Sequence, residues 1–236
     1  MKGKLILFPV PISEEDHSQQ LPTYNLLLLN TCHTFIVEEL RTARRFLKRV
    51  GYAHEINDTT FLLLNEHTNP NEIGGYLNAI ADGANVGLLS EAGLPCVADP
   101  GALVTALAQR NGIEVMPLVG PSSLMMALMA SGLNGQSFSF AGYLPIDRGQ
   151  RVAALKRLED RARQTGETQL FIEAPYRGNQ LLETIVGVCK PDTLVCVACD
   201  ITLPTQFIRT LSVRAWRIER SKVDLHKRNA VFLLGF

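Results

Sequence analysis

A chain of 236 residues, 46% of them hydrophobic, has enough apolar side chain for one large core or two smaller ones. Intrinsic disorder, a disulfide mini-scaffold and a collagen-like repeat are thereby excluded. Twenty-three basic residues balance twenty-three acidic ones, so any contact with a polyanion has to come from a local basic face rather than a global field.

The opening MKGKLILFPVPI has too short an apolar stretch for a signal peptide. No other run approaches the roughly 20 residues of a membrane span, and a cytoplasmic protein without a membrane partner is expected. Within that opening, Lys4 to Val10 reads as a buried parallel strand closed by Pro9 and Pro11. Similar short apolar runs predict strands at Tyr24 to Leu29, Thr60 to Leu64, Asn85 to Leu89 and Glu114 to Leu118. Between them, Glu38 to Val50 carries Leu40, Ala43, Phe46, Leu47 and Val50 at helical spacing, with Arg41, Arg44, Arg45, Lys48 and Arg49 at other positions. Those cations can be a solvated face or a phosphate contact. Asn71 to Ala81, Gly101 to Arg110 and Pro121 to Ala130 predict further helices, each with a glycine near its end.

After a strand at Ser137 to Ala141, the segment GYLPIDRGQR can bridge two lobes. Beyond it a helix is predicted from about Gln150 to Gln164, a strand at Thr168 to Ile172, a helix near Asn179 to Cys189 and a strand at Thr193 to Ala198. Apolar pieces at Gln206 to Leu211 and Ala230 to Phe236 flank a mixed charged stretch. Strand alternating with helix indicates an α/β fold with a mainly parallel sheet, here as two α/β domains, 1–136 and 137–236, with a ligand cleft between them.

The five cysteines, an odd set running from Cys32 to Cys199, do not form a secreted disulfide framework. Cys196 and Cys199 lie in an apolar strand, lack partners at ligand spacing and predict no metal site. Dinucleotide-binding, P-loop and nucleophile-elbow motifs are absent. Small-residue loops stand instead where predicted strands end. LLSEAGLPCVADPG (88–101) supplies Ser90, Gly93 and a capping Asp99, and LVGPSS (118–123) supplies Gly120, Ser122 and Ser123. FIEAPYRG (171–178) places Glu173, Tyr176 and Arg177 just after a strand. Such loops are the usual ligand site of an open α/β sheet, although a plain turn and helix cap uses the same residue types. The methionines 125, 126 and 129 read as core or dimer packing.

FPVPI, VEELRTARRFL, NEHT, SEAGLPCVADPG, PLVGPSS, FAGYLP and FIEAPYR occur in this order from Phe8 to Arg177. With these pieces the chain resembles the tetrapyrrole methylase superfamily of S-adenosylmethionine (SAM) dependent methyltransferases. Within it, the chain is most similar to the branch that 2'-O-methylates a cytidine of small-subunit ribosomal RNA. The resemblance implies two α/β domains with SAM in the cleft, usually in a homodimer. It assigns SAM binding to Pro9 and Pro11, to Ser90, Ala92 and Gly93, to Leu118, Val119 and Gly120, and to Ser122 and Ser123. From the second lobe it adds Tyr143, Leu144, Ala174, Pro175, Leu203 and Pro204. Glu91 and Glu173 are the carboxylates placed to act as a base toward an RNA hydroxyl. The chain departs from the family at Ser13 to Glu15, at Glu91, where an aspartate is usual, and at CDITLPTQF, where two basic residues are expected. A small or tetrapyrrole-like methyl acceptor, and a SAM-binding protein without catalysis, stay open as alternatives.

Overall fold

The computed structural model describes residues 3–14, 17–69 and 72–236. The chain divides into two compact units, Met1–Ser122 and Ser123–Phe236.

The first unit alternates strand and helix: β1 (Leu5–Phe8), α1 (Thr23–Leu29), β2 (Cys32–Val37), α2 (Leu40–Arg49), β3 (Thr60–Leu63), α3 (Asn78–Ala81), β4 (Asn85–Leu89), α4 (Ala102–Arg110) and β5 (Val115–Pro117). Its five strands pair in parallel in the order β3-β2-β4-β1-β5. The chain therefore runs outward from β1 to β2 and β3, then returns to β4 and crosses β1 to reach β5. Right-handed crossovers send the outward and returning helices to opposite faces of the sheet. The cores obey this rule. Leu29, Phe46 and Leu47 pack with Ile6, Phe8 and Phe35 on one face. Ile80, Val104 and Ala108 pack with Leu5, Leu7 and Ile36 on the other. β1 feeds both faces because successive side chains of a strand point to opposite sides.

Two expectations change here. Tyr24 to Leu29 is helix α1, and the second strand is Cys32–Val37. A leucine run has no strand signature of its own. Tyr24 and Leu27 are exposed while Asn25 and Leu29, four apart, are buried, which is helical spacing, and the β-branched and aromatic CHTFIV takes the strand. In the helix expected from Asn71, that residue lies outside the described ones. The remainder is a 3₁₀ turn, Ile73–Leu77, followed by the single turn of α3. Gly74 and Gly75, adjacent in that stretch, weaken α-helix there.

The second unit holds α5 (Ser123–Ser131), β6 (Phe138–Tyr143), α6 (Arg148–Thr165), β7 (Thr168–Glu173), α7 (Gly178–Val188), β8 (Leu194–Cys199), β9 (Phe207–Ser212), α8 (Val213–Glu219) and β10 (Ala230–Gly235). Its sheet is mixed, in the order β6-β7-β10-β8-β9, with only β6 and β7 parallel. Helices α6, α7 and α8 cover one face through Leu155, Leu181, Ile185 and Trp216, packed on Phe171, Val197 and Phe232. Trp216 is fully buried, and its indole N–H donates to Val195 O at 2.9 Å, so the large ring leaves no orphan donor. Helix α5 packs against β8, β9 and β10, and Thr210 Oγ1 donates to the Ser131 carbonyl at its end (2.6 Å). The division consequently falls ahead of α5, before the 136/137 junction read from the sequence.

All five cysteines are free thiols. Burial pushes Cys189 and Cys199 up to about 12 and Cys32 up to about 11. Only Cys96 is partly exposed. A thiol titration of the native protein at neutral pH should accordingly label Cys96 first, with the other four reacting only on unfolding. Rapid labelling of Cys199 in folded protein would contradict this packing.

Candidate functional site

Where neighbouring parallel strands send their chains to opposite faces, the loops part and leave a crevice beyond the strand ends. β1 and β4 are such neighbours, in register up to Phe8 and Leu89. Just beyond them Val10 and Gly93 exchange both backbone hydrogen bonds, at 2.9 and 2.8 Å. Gly93 sits at φ +73°, and a Cβ there would lie 3.3 Å from Ile12 Cγ2. Ser90 is buried, with its hydroxyl donating to Gly93 O at 2.7 Å.

The loop after β5 closes on the same place. At Gly120 a Cβ would stand 2.2 Å from Pro9 Cβ, so only glycine lets the two loops meet. Asn25 of α1, itself buried, donates to Val119 O at 2.7 Å and holds that loop. The sheet thus gathers Pro9, Ser90, Gly93, Leu118, Val119 and Gly120, with Pro11 buried in the same turn and Ala92 exposed. Asn25 lies in a segment read as strand, which hid its role.

Beside this crevice stands a set of carboxylates contributed by separate loops. Glu91 Oε1 accepts from Thr42 Oγ1 at 2.7 Å. Asp99 Oδ1 accepts from the amides of Gly101 (2.7 Å) and Cys96 (3.1 Å), fixing a loop in which Cys96 and Ala98 have positive φ. Glu38 follows β2. Burial first, then the charges of Asp99, Glu91 and Glu66, raise its pKa above the ordinary glutamate value. The sequence could not group these residues, because only the order β3-β2-β4 makes their loops neighbours. Among the described residues no three histidine, cysteine or acidic side chains converge as metal ligands.

In the second unit β7 and β8 flank β10, and Glu173 and Cys199 both pair with Ala230, so the turns after them open on one sheet edge. Glu173 Oε1 accepts from the Ala174 amide at 2.7 Å and from Arg177 Nη2 at 2.5 Å. Its Oε2 and Arg177 Nε are buried without a partner. Ala174 and Pro175 are half-buried in that turn, and Pro175 O accepts from Lys227 N at 2.9 Å. Tyr143, paired with Ile172 at the end of β6, is exposed, whereas the Leu144 side chain belongs to the core and leaves only its backbone for a ligand. Leu203 and the exposed Pro204 lie in the turn that Arg228 braces through Asp200 (2.7 Å). Ser122 ends the first unit and Ser123 opens α5.

The acidic set has a thermodynamic consequence. With its folded-state pKa raised, Glu38 is tolerated when protonated, and that tolerance is lost as pH rises through the raised value. Glu38→Gln should raise the melting temperature by about 1–3 °C at neutral pH, since exposed charge pairs are worth about 0–1 kcal/mol. Below about pH 4, where glutamate is protonated anyway, the gain should vanish. A thermal scan at the two pH values checks this, and an equal gain at both would contradict it.

No family profile matches the chain. The ribosomal RNA small subunit methyltransferase I of Mesorhizobium japonicum is 34% identical over 199 residues, which are 84% of this chain and 64% of that protein. Its namesake in Leptospira borgpetersenii is 33% identical over 183 residues, 76% of this chain and 69% of that protein. The chain thus spans about two thirds of the length of these curated relatives. Among solved structures, the methyltransferase CobJ superposes with a TM-score of 0.63 at 18% identity, covering 99% of this chain and 94% of that one. Uroporphyrin-III-C-methyltransferase from Thermus thermophilus gives 0.55, also at 18% identity, over 100% and 93%. At that identity the likeness establishes the fold of two α/β units. The sequence relatives go further: the chain belongs to the ribosomal RNA small subunit methyltransferase I family.

Proposed function

We propose that the chain is a SAM-dependent methyltransferase that acts on a ribose 2'-hydroxyl of small-subunit ribosomal RNA. The observation that carries this reading is the crevice of the first unit, formed by main chain, in a member of a family whose relatives are named for that RNA. The crevice suits a ligand bound through backbone groups. Ser90 turns its hydroxyl onto Gly93 O, while Ala92 and Val119 stand exposed. SAM supplies a methyl group on a sulfonium, open to in-line displacement by an aligned nucleophile.

The residues assigned to holding SAM are those of the turn at Pro9 and Pro11 and of the loops 90–93 and 118–123, together with Tyr143, Leu144, Ala174, Pro175, Leu203 and Pro204. Taking the proton from the acceptor hydroxyl falls to Glu91, which is exposed and has one carboxylate oxygen held by Thr42. Glu173 is committed to Arg177 and the Ala174 amide, and acts by shaping the turn that carries Ala174 and Pro175.

For RNA, α2 presents Arg41, Arg44, Arg45, Lys48 and Arg49, all exposed and without an ion pair among the described residues. The carboxylates Glu38, Glu66, Glu91 and Asp99 favour a second reading, a small acceptor without phosphates. The free thiols fit a reducing cytoplasm. A homodimer is part of the same reading, with the methionine face of α5, where Met129 is 83% exposed, as the contact.

Calorimetry should find one SAM site per chain with a dissociation constant near ~10 μM. Tritiated methyl should enter small-subunit ribosomal RNA, and Glu91→Gln should lower kcat by about 10²–10⁴ with SAM affinity kept. Methyl transfer confined to small-molecule pools would overturn the RNA assignment. Sedimentation equilibrium should give twice the 26.0 kDa chain mass, and Met129→Asp should return it to the monomer. A monomer mass for the unaltered protein at micromolar concentration would rule out the dimer.

A further inference from the structure

Helix α6 opens with Arg148 and Arg151 in its first turn, behind the N-cap Asp147, whose carboxylate accepts from the Gln150 amide at 2.9 Å. Cations at a helix N-terminus oppose the macrodipole, and the one capping carboxylate is engaged by a backbone amide. Arg151 is the sharper case. It is 2% exposed, and its Nη1 donates to Ile146 O at 2.8 Å, but its Nε is buried with no partner. No carboxylate pairs with it among the described residues. A buried guanidinium without a paired carboxylate is costly, and the Ile146 carbonyl offsets only part of that cost.

Arg151 is also among the residues that line a cavity of about 870 Å³ in the second unit. Helix α6 contributes Arg148 and Arg151. Arg217 of α8 and Arg220 just beyond it come from the opposite wall, with Glu183 and Thr184 of α7 between them. Arg148, Arg217 and Arg220 are exposed, and none makes an ion pair among the described residues. Four arginines thus line the cavity, with Glu183 as the single acidic residue of its lining. Planar guanidinium forks match phosphate oxygens in bidentate geometry. Glu183 would repel a bare phosphate, yet it can accept a hydrogen bond from a ribose hydroxyl or a base amino group beside one.

We propose that the cavity between α6, α7 and α8, centred on Arg151, binds backbone phosphate of an RNA strand. It is a contact separate from the crevice at β1 and β4, and it rests on the reading that the substrate is RNA. One phosphate meets Arg151 and Arg148, and the next meets Arg217 and Arg220. Such contacts position the strand without reading its sequence.

The test uses the full chain, a short fluorescein-labelled single-stranded RNA and the double variant Arg217→Ala/Arg220→Ala, whose exposed positions leave the core untouched. Anisotropy titrations over a range of salt should show RNA affinity falling roughly tenfold at low salt. The slope of log affinity against log salt should shrink by about 0.7 for each phosphate that the variant no longer neutralises. SAM affinity by calorimetry should stay at the wild-type value. Unchanged RNA affinity and slope would overturn the proposal. So would pyrophosphate binding that is lost in the variant while RNA binding persists, because the cavity would then be a small-anion site. Methyl transfer into ribosomal RNA is measured in parallel. If the wild type methylates RNA and the variant binds RNA equally well, the cavity assignment falls alone. If the variant loses RNA affinity but the wild type methylates no RNA, the functional reading falls and the cavity assignment stands.

Discussion

Two backbone hydrogen bonds between Val10 and Gly93 tie together the ends of β1 and β4, whose chains leave for opposite faces of the sheet. Each contributes only about 0.5–1.5 kcal/mol net, but their position matters more than their energy. Without them the two loops would splay where the sheet's connections reverse direction. With them, Gly93 takes a positive φ, Ser90 turns its hydroxyl onto the same carbonyl, and the 118–120 loop can approach Pro9 through a glycine that tolerates no Cβ. Asn25 completes the arrangement from α1. The acceptors in all four of these hydrogen bonds are main-chain carbonyls, two of them reached by the side chains of Ser90 and Asn25.

The second unit solves a different problem, since its mixed sheet is sealed on one face by three helices. Its buried polar groups mostly serve as latches. Glu159 of α6 is buried and accepts from the Lys190 amide (2.7 Å) and from Thr193 Oγ1, fixing the turn into β8. Trp216 fills the core and satisfies its own N–H. Against that background the unpartnered atoms of Arg151, Glu173 and Arg177 stand apart. Buried polar atoms are normally hydrogen-bonded, so the exceptions mark places where another molecule can complete the set.

Zero net charge conceals a segregation of charge within each unit. Glu38, Glu66, Glu91 and Asp99 interact beside the crevice of the first unit, and the cations of α2 line a helix in that same unit. In the second unit arginines from two helices collect around one cavity. Fields of this kind act over roughly a Debye length, about 8 Å at physiological salt, so local clusters matter to a ligand more than the total does.

Much of this architecture was legible in local sequence. The α/β alternation, the helix from Leu40 to Arg49, the strands at Leu5, Asn85 and Thr168, and the small-residue loops at 90–93 and 118–120 follow from hydrophobic period and turn chemistry, which act over a few residues. The leucines 26–29 misled because an apolar run has no period of its own, and burial on one side alone made it a helix. The carboxylate set and the arginine cavity were not legible at all. Glu38, Glu66, Glu91 and Asp99 meet only because β3, β2 and β4 are adjacent in the sheet. Arg151 and Arg217 share a cavity only because α6, α7 and α8 pack on one face of β10 and its neighbours. The sequence by itself determined most of the strands, helices and tight turns, the segments 24–37 and 73–81 excepted. The tertiary structure alone decided which loops and helices stand side by side, because that depends on strand order and crossover handedness, long-range choices that no local pattern encodes.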